Sequence, residues 1–369
     1  MVDAAALPRF RKNLLDWFAR SKRDLPWRRT RDPYGIWLSE IMLQQTRVAA
    51  AIPYYLRFME RFPNVQSLAE APQEEVLRLW AGLGYYSRAR NLQRAAQQMV
   101  EKHGGKFPVD AADALALSGV GKYTAAAILS IAYGQKLAVL DGNVARVIAR
   151  LNATQGDLRE AARWAKLQKT ADVLLDSDTP GDWNEAMMEL GATVCTPRAP
   201  QCLLCPVSEF CKARKQGLAE AIPEKRKKRA IVKITLASVV FVDDERNTLL
   251  LPPPKLRNKS AHGENVSALL SRMWHFPTIG VQQNACGELR KFLRAEFLRG
   301  GTRTLNLLPC KPVRHAVTFR SITLLPFLVS AAKLPCVPKV KILPLSDMTS
   351  VAISNLTRKT ARSAFNSLR

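Results

Sequence analysis

The sequence predicts a chain of more than one domain, in which an all-α part with a metal centre precedes an α+β part. Three observations predict this. Residues 1–220 read as short amphipathic helices separated by Pro and Gly. Four closely spaced cysteines end that stretch, and β-branched apolar runs begin only after residue 230. A length of 369 residues suits two or three domains.

The helical part is predicted from apolar residues that recur every three to four positions. The pattern predicts helices over residues 37–51, 74–82, 89–102, 111–117 and 124–133. Pro and Gly interrupt it at 25–26, 32–33, 62–63, 82–84 and 104–108. Helices of this length with such turns are typical of a compact bundle.

The four cysteines are Cys195, Cys202, Cys205 and Cys211, with the spacing C-x6-C-x2-C-x5-C. Four thiolates this close in sequence can surround one soft metal centre, either an iron–sulfur cluster or zinc. The unequal gaps differ from the paired C-x2-C units of a zinc ribbon and favour the cluster. Disulfides are not expected, because nothing else indicates secretion.

The composition is strongly basic, with 56 Lys and Arg against 31 Asp and Glu and a formal charge of +25. This excess predicts a polyanionic partner, of which nucleic acid is the commonest. A soluble basic protein and a membrane-surface protein are the alternatives. No apolar run reaches transmembrane length, and the N-terminal residues lack a signal-peptide core. We therefore expect a cytoplasmic protein whose thiols stay reduced.

Two glycine-containing turns stand between predicted helices. Gly119 and Gly121 form a G-x-G turn, which lets backbone N–H groups approach a phosphate at the positive end of the next helix. This is the helix–hairpin–helix way of holding a DNA backbone; a tight packing turn is the alternative. Further along, Asp141 and Gly142 open another helix, where Asp141 alone would be read as an N-cap.

The order of hairpin, Asp141 and four cysteines resembles the endonuclease III superfamily of base-excision glycosylases. Residues 37–46, 82–90 and 184–191 (WLSEIMLQQT, GLGYYSRAR and NEAMMELG) resemble its adenine-specific MutY branch. Bifunctional members of the superfamily carry a lysine nucleophile where this chain has Tyr123, and some relatives carry a lysine where it has Ala145. The resemblance therefore implies a monofunctional enzyme, because a phenol cannot form a Schiff base.

Two carboxyls are the candidate catalytic groups. Glu40 interrupts an apolar helix face, and burial would raise its pKa until it holds a proton at neutral pH; otherwise it would be a surface residue. The resemblance implies that Glu40 protonates N7 of adenine. It also implies that Asp141, as a carboxylate, stabilises an oxocarbenium-like centre. Asn143 and Tyr123 resemble the polar supports of that centre.

The remaining candidates concern the base and the duplex. By resemblance, Trp27, Arg28 and Glu185 line the adenine pocket. The adenine must leave the base stack before it reacts. Gln44 and Tyr85 match residues that enter the gap it leaves, since an amide can read base edges and a phenol fits between stacked bases.

The second domain resembles the MutT-like domain of the same family through the W-x-F-P element at residues 274–277. The Glu-rich metal-binding helix of Nudix hydrolases is absent from the sequence, so diphosphate hydrolysis is not expected. A Phe-Ser-His loop recognises 8-oxoguanine in this family. Here Val317, Thr318 and Phe319 stand in its place, and Thr318 keeps a hydroxyl.

The resulting hypothesis is a helix–hairpin–helix glycosylase core at residues 1–222, with a [4Fe–4S] loop at 195–211. A basic linker at 223–230 and a MutT/Nudix-like α+β domain at 231–369 follow. The expected activity is removal of adenine opposite 8-oxoguanine or guanine in double-stranded DNA. A bifunctional pyrimidine-lesion glycosylase and a non-catalytic DNA-binding module are the alternatives. We expect a monomer, associated with a bacterial nucleoid and not with a membrane.

Overall fold

The computed structural model describes residues 2–224, 230–253, 270, 273–297 and 305–368. The chain forms two compact units. The first comprises Met1–Ala71 and Arg90–Lys227, and the second comprises Pro72–Ala89 and Lys228–Arg369. The basic run predicted as a linker lies outside the described residues between 225 and 229.

Helices dominate the first unit. In chain order the α-helices of the described residues are α1 (Leu7–Ser21), α2 (Pro33–Leu43), α3 (Val48–Arg61), α4 (Val65–Glu70), α5 (Gln73–Trp80), α6 (Ser87–His103), α7 (Ala111–Ala116), α8 (Lys122–Tyr133), α9 (Gly142–Asn152), α10 (Ala161–Leu174), α11 (Pro180–Thr193), α12 (Lys212–Lys215), α13 (Ala285–Glu296) and α14 (Asn355–Asn366). Helices α5, α13 and α14 lie in the second unit, together with the start of α6. Among the described residues, no helix has the length and apolar character needed to cross a bilayer.

The predicted helix over residues 37–51 is wrong in its middle. The structure has two helices there, α2 and α3, and the chain breaks between them at residues 44–47. Gln45 adopts a left-handed φ of 57°, which a right-handed helix cannot include. No Pro or Gly marks this break, and only the four polar residues 44–47 (QQTR) interrupt the apolar pattern there. The break turns polar side chains toward the cavity described below.

The core of the first unit is built where the predicted apolar faces meet. Helix α2 packs on α8, and α11 packs on α8, α9 and α1. Phe10, Trp37 and Trp183 are fully buried, and the rings of Phe10 and Trp183 lie 5.8 Å apart. Burial of aromatic side chains of this size contributes about 2–3 kcal/mol each to folding. Helices α2, α8, α9 and α11 are thereby fixed relative to one another.

The second unit is α+β, as its sequence predicts. Its strands are β1 (Val232–Val242), β2 (Asn247–Leu250), β3 (Thr278–Gly280), β4 (Leu308–Pro309), β5 (Val313–Val317), β6 (Arg320–Ser330) and β7 (Lys341–Pro344). A mixed sheet has the order β3-β1-β6-β4, with β5 also paired to β6, and β2 pairs with β7 in a second sheet. Strands β1 and β6 run parallel along their whole length, from Val232 opposite Arg320 to Val242 opposite Ser330.

From Leu236 to Val242, strand β1 is buried on both faces. Val240 and Val242 belong to one apolar cluster, whereas Val239 and Phe241 belong to another on the opposite face. Helix α13 packs on β1, and α14 packs on β5 and β6. A central strand covered on both faces needs a continuous apolar run rather than an alternating one, which is what the sequence of β1 shows. A tight turn follows β1, with Asp243 N–H donating to the carbonyl of Asn247 at 3.1 Å.

Candidate functional site

A cavity of about 500 Å³ opens in the first unit between α2, α8, α9 and α11. Most of the residues predicted from the sequence for the site line it. They are Trp27, Arg28, Glu40, Gln44, Tyr123, Asp141, Asn143 and Glu185. The break between α2 and α3 adds Gln45 and Thr46, which were not among the residues predicted for the site. The fold thus brings residues up to 158 positions apart in sequence (Trp27 to Glu185) into one concave surface, while their individual roles stay predictions.

Glu40 lies in α2, a helix that is buried along most of its length. Only 7% of the residue is exposed. Burial raises the pKa of Glu40 to about 7, because the charged form loses its hydration, and the nearby charges of Asp141 and Glu185 act in the same direction. The nearby hydroxyl of Tyr123, which donates to Met188 Sδ at 3.1 Å, acts to lower the pKa of Glu40 but does not offset the burial. Glu40 can therefore hold a proton near neutral pH and release it into the cavity.

Asp141 is the N-cap of α9. Its Oδ1 accepts hydrogen bonds from the backbone N–H groups of Asn143 (2.9 Å) and Val144 (2.7 Å), and its Oδ2 accepts from Asn143 Nδ2 (3.0 Å). Burial raises the pKa of Asp141, whereas these three donors and the charge of Arg146 act to lower it. Hydrogen bonds to the charged form favour a carboxylate. The three donors and Arg146 thus favour the carboxylate form of Asp141, while burial opposes it.

Asn143 is itself held by a buried arginine. Arg146 Nη2 donates to Asn143 Oδ1 at 3.0 Å and to the carbonyl of Gly191 at 2.7 Å, and its Nε donates to the carbonyl of Cys195 at 2.8 Å. These bonds fix the Asn143 amide so that its Nδ2 faces Asp141. They also join the start of α9 to the first cysteine of the loop. Arg146 is not among the residues predicted from the sequence, since an Arg four residues into a helix carries no distinguishing signal.

An ion-pair network forms one wall of the cavity. Arg28 Nε lies 3.0 Å from Glu185 Oε1, and Arg28 Nη2 lies 3.0 Å from Glu189 Oε2. Arg23 also pairs with Glu189 at 2.6 Å, and these arginines lower the pKa of Glu189 despite its burial. Burial raises the pKa of Glu185 in spite of Arg28. The network holds the Arg28 guanidinium against acids, so that its side chain has a fixed position at the cavity wall.

The predicted hairpin is the connection between α7 and α8. Gly119 has a φ of 82°, and a side chain at this position would meet Cβ of Asn91 at 3.0 Å. Gly121 is the N-cap of α8 and makes no side-chain capping bond, since it has no side chain. Backbone N–H groups at this helix end are therefore available to an anionic group.

Tyr85 and Thr318, the two remaining predicted DNA contacts, lie in the second unit. Tyr85 adopts a left-handed φ of 49° in the loop before α6 and is 42% exposed. Thr318 and Phe319 form the two-residue turn between β5 and β6. Thr318 has a φ of 56° and is exposed, and its hydroxyl donates to the carbonyl of Val317 at 2.7 Å. Both side chains are thus placed at exposed turns.

The four cysteines line a separate cavity in the first unit, together with Arg150. Arg150 is 2% exposed, and its Nη1 lies 3.2 Å from Cys195 Sγ, while its Nη2 is buried without a hydrogen-bond partner in the structure. No three His, Cys, Asp or Glu side chains among the described residues are arranged to hold a single metal ion. The shared cavity of the four thiols and the orphaned donor of Arg150 fit an anionic group with several metal atoms.

Comparison with known proteins identifies the family. Residues 38–171 match the model described as HhH-GPD superfamily base excision DNA repair protein. Over 57% of its length the chain has a fold similar to that of a thermostable thymine-DNA glycosylase, with 31% identity, a TM-score of 0.52 and coverage of 99% of that protein. The chain belongs to the HhH-GPD superfamily of base excision DNA repair proteins.

Within this superfamily the chain is similar to adenine DNA glycosylases, which confirms the resemblance to the MutY branch. It is 50% identical to the human adenine DNA glycosylase over 223 residues, which are 58% of this chain and 41% of the human protein. It is 38% identical to that of Buchnera aphidicola (Schizaphis graminum) over 224 residues, or 60% of this chain and 65% of the relative. The chain spans less than half the length of the human relative.

The cysteine loop is confirmed as an iron–sulfur site. Residues 195–211 match the iron-sulfur binding domain of endonuclease III. Cys195, Cys202, Cys205 and Cys211 all lie within this match and remain the predicted ligands, and Arg150 supplies a buried positive charge beside Cys195. A bound cluster would join the four cysteines of the loop to one another. Arg150 of α9 contacts this loop at Cys195 Sγ, and its Nε donates to the carbonyl of Ile222 at 2.8 Å.

The iron content tests this assignment. We expect anaerobically purified protein to be yellow-brown with about four iron atoms per chain, as for all-cysteine ligation of a cubane cluster. Cys202→Ser should lower the iron content, whereas Cys286→Ser, Cys310→Ser and Cys336→Ser should leave it unchanged, since those cysteines lie in the second unit. Metal analysis that finds stoichiometric zinc and no iron would contradict the cluster.

Proposed function

We propose that this chain is a monofunctional DNA glycosylase that removes adenine paired with 8-oxoguanine or guanine in duplex DNA. One observation carries the proposal: Glu40, with its pKa raised to about 7, shares a cavity with Asp141, whose carboxylate is held by three donors. Two carboxyls in opposed protonation states are what glycosidic bond cleavage needs. We further propose that it acts as a monomer, in a bacterial cytoplasm and at the nucleoid.

The reaction follows from these two groups. Glu40 gives its proton to N7 of the adenine, and the electron pair of the C1′–N9 bond moves into the base, which leaves as neutral adenine. Positive charge remains at C1′, where the Asp141 carboxylate stabilises it. Water then adds to C1′ and gives a proton to the Glu40 carboxylate, which restores the acid and leaves an abasic site. Asn143 and Arg146 keep Asp141 in position during this step.

The bifunctional alternative is less well supported. Tyr123 occupies the position of the lysine nucleophile, and burial raises the pKa of its phenol well above 10. The group is therefore neutral and has no amine with which to form a Schiff base. A non-catalytic DNA-binding module would have no use for a buried, protonatable Glu40 beside Asp141.

DNA binding is proposed from charge and from the exposed turns. The formal charge of +25 attracts the duplex, and the backbone N–H groups around Gly119 and Gly121 would hold a phosphate. Gln44 lines the cavity, its Nε2 lying 3.5 Å from Thr124 Oγ1, and would enter the duplex gap with Tyr85. Trp27 would contact the extruded adenine, with Arg28 and Glu185 behind it.

The second unit is proposed to read the base opposite the adenine. We propose that residues 231–369 form a MutT/Nudix-like domain that follows the core at 1–222 and the linker at 223–230. Helix α13 offers Glu288 and Glu296 but not the Glu-rich pattern of a diphosphate hydrolase. Thr318, exposed at the tip of the β5–β6 turn, is the candidate contact to 8-oxoguanine.

A base-release assay tests the function. Duplexes with adenine opposite 8-oxoguanine, G, C or T should lose adenine from the first two only, and the abasic strand should break only after alkali. Thr318→Val removes the hydroxyl at similar size and should reduce the preference for 8-oxoguanine more than His315→Ala, a control in the preceding strand. Strand cleavage without alkali would favour the bifunctional alternative, and absence of any release would favour the binding module.

A further inference from the structure

The loop that carries Tyr85 belongs to the second unit, although the first unit flanks it on both sides in the sequence. Three of its residues have left-handed φ values: Gly82 (115°), Gly84 (75°) and Tyr85 (49°). Trp80 Nε1 donates to the carbonyl of Gly84 at 3.0 Å. Backbone in these conformations persists only when surrounding contacts hold it. The contacts of the loop therefore decide where the Tyr85 ring points.

One set of contacts comes from the loop itself. Arg88 is 8% exposed, and its guanidinium carbon lies 5.3 Å from the centre of the Trp80 ring and 5.4 Å from that of Tyr85. Its Nη2 also donates to the carbonyl of Gly84 at 3.3 Å. The buried guanidinium thus packs against both rings and supports the Tyr85 ring.

A second contact comes from the far end of the chain. Asn355, the first residue of α14, donates from Nδ2 to the carbonyl of Gly82 at 3.3 Å. Its Oδ1 accepts from Arg358 Nη1 at 3.4 Å, which fixes the orientation of the amide. Nearby in the same unit, Lys341 of β7 pairs with Glu74 of α5. The segment that leads to Tyr85 is therefore tied to α14 and β7 by polar contacts.

We propose that Asn355 is a positioning residue for Tyr85, acting through the carbonyl of Gly82. The C-terminal helix then sets the ring that fills the duplex gap when the adenine leaves. This inference rests on the proposed function. Loss of the hydrogen bond would let the loop sample other conformations, which slows extrusion of the base. The chemical step would not change, because Asn355 contacts neither carboxyl.

The experiment separates extrusion from chemistry in the full-length protein. A duplex with 2-aminopurine at the target position, opposite 8-oxoguanine, reports unstacking through its fluorescence. Asn355→Ala and the equal-sized Asn355→Asp should both slow the fluorescence rise by about five-fold, which corresponds to the loss of one hydrogen bond. Asn366→Ala, an exposed position at the other end of α14, is the matched control and should have no effect. In a Tyr85→Ala background, Asn355→Ala should cause no further loss.

Two outcomes would overturn the inference: wild-type extrusion rates in both Asn355 variants, or the same five-fold loss with and without the Tyr85 side chain. Thermal melting and the iron content identify a variant that has merely unfolded, and Asn355→Asp decides the question if Asn355→Ala does not fold. If wild-type protein extrudes the base but releases no adenine from any duplex, the proposed function fails while the positioning role stands.

Discussion

Glu40→Gln is expected to lower the single-turnover rate of adenine release by about 10²- to 10⁴-fold, the range of a lost general acid, while DNA affinity holds. Gln has nearly the same shape as Glu but cannot give up a proton. Burial raises the pKa of Glu40 to about 7, so the wild-type side chain is protonated in a large fraction of molecules at neutral pH. No phosphate contact is removed, because Glu40 lies buried within the cavity.

The pH dependence gives the same test independently. The acid form of Glu40 is lost as the pH rises through about 7, so the wild-type rate should fall about ten-fold per pH unit above that value. At low pH the rate should fall again as Asp141 takes up a proton. In Glu40→Gln the loss above pH 7 should disappear. Glu101→Gln, an exposed acid at the end of α6, is the matched control and should leave both rate and profile unchanged.

The Glu40 experiment has a clear contrary result. A Glu40→Gln protein that binds DNA poorly but keeps its single-turnover rate would show that the side chain supports binding or folding. The proton for N7 would then have to come from another group, and the raised pKa of Glu40 would be only a result of its burial.

Asp141→Asn is expected to lower base release by at least roughly 100-fold, as for removal of one electrostatic catalytic group, with DNA binding retained. Asn is as good an N-cap as Asp, so the bonds from the N–H groups of Asn143 and Val144 can persist and α9 should stay intact. The charge is lost. In the wild-type chain Asn143 Nδ2 donates to Asp141 Oδ2 at 3.0 Å. In the variant the new side-chain NH2 group can take the place of this oxygen, so that two donors face each other and the hydrogen bond is lost.

Asp110→Asn is the matched control for this variant. Asp110 caps α7 in the same way, with bonds from the N–H groups of Ala112 and Asp113 at 2.8 and 3.1 Å, but it is exposed and does not line the cavity. Both variants should melt close to the wild-type temperature, and only Asp141→Asn should lose activity in single-turnover assays. Equal activity of the two proteins would reduce Asp141 to a helix cap.

The sequence predicts most of the helical unit because its helices carry regular apolar faces and marked ends. It does not predict the break at residues 44–47, since neither Pro nor Gly stands there and only tertiary packing makes Gln45 left-handed. The members of the cavity were found through the resemblance. Glu40 and Asp141 in isolation would be a surface acid and a cap.

Residues that act through other residues escaped the sequence analysis. Arg146 is recognised in the structure by its hydrogen bonds to Asn143 and Cys195. Glu189 is recognised by its ion pairs with Arg23 and Arg28. Glu189 stands four positions after Glu185, on the same face of α11, and this spacing was the one signal that could have found it. No comparable pattern points to Arg146, because its partners are mostly backbone carbonyls.

The segment Pro72–Ala89 makes the second unit discontinuous along the chain. A single cut at the linker therefore cannot release two complete units: a protein ending near Glu224 keeps an 18-residue piece of the second unit without the remainder of that unit. Such a fragment would lose the partners of Glu74 and Gly82 at Lys341 and Asn355, and with them part of the support of Tyr85. A truncated protein with a changed preference for 8-oxoguanine would thus have lost both the second unit and the support of Tyr85. Point variants in the intact chain can separate these two effects.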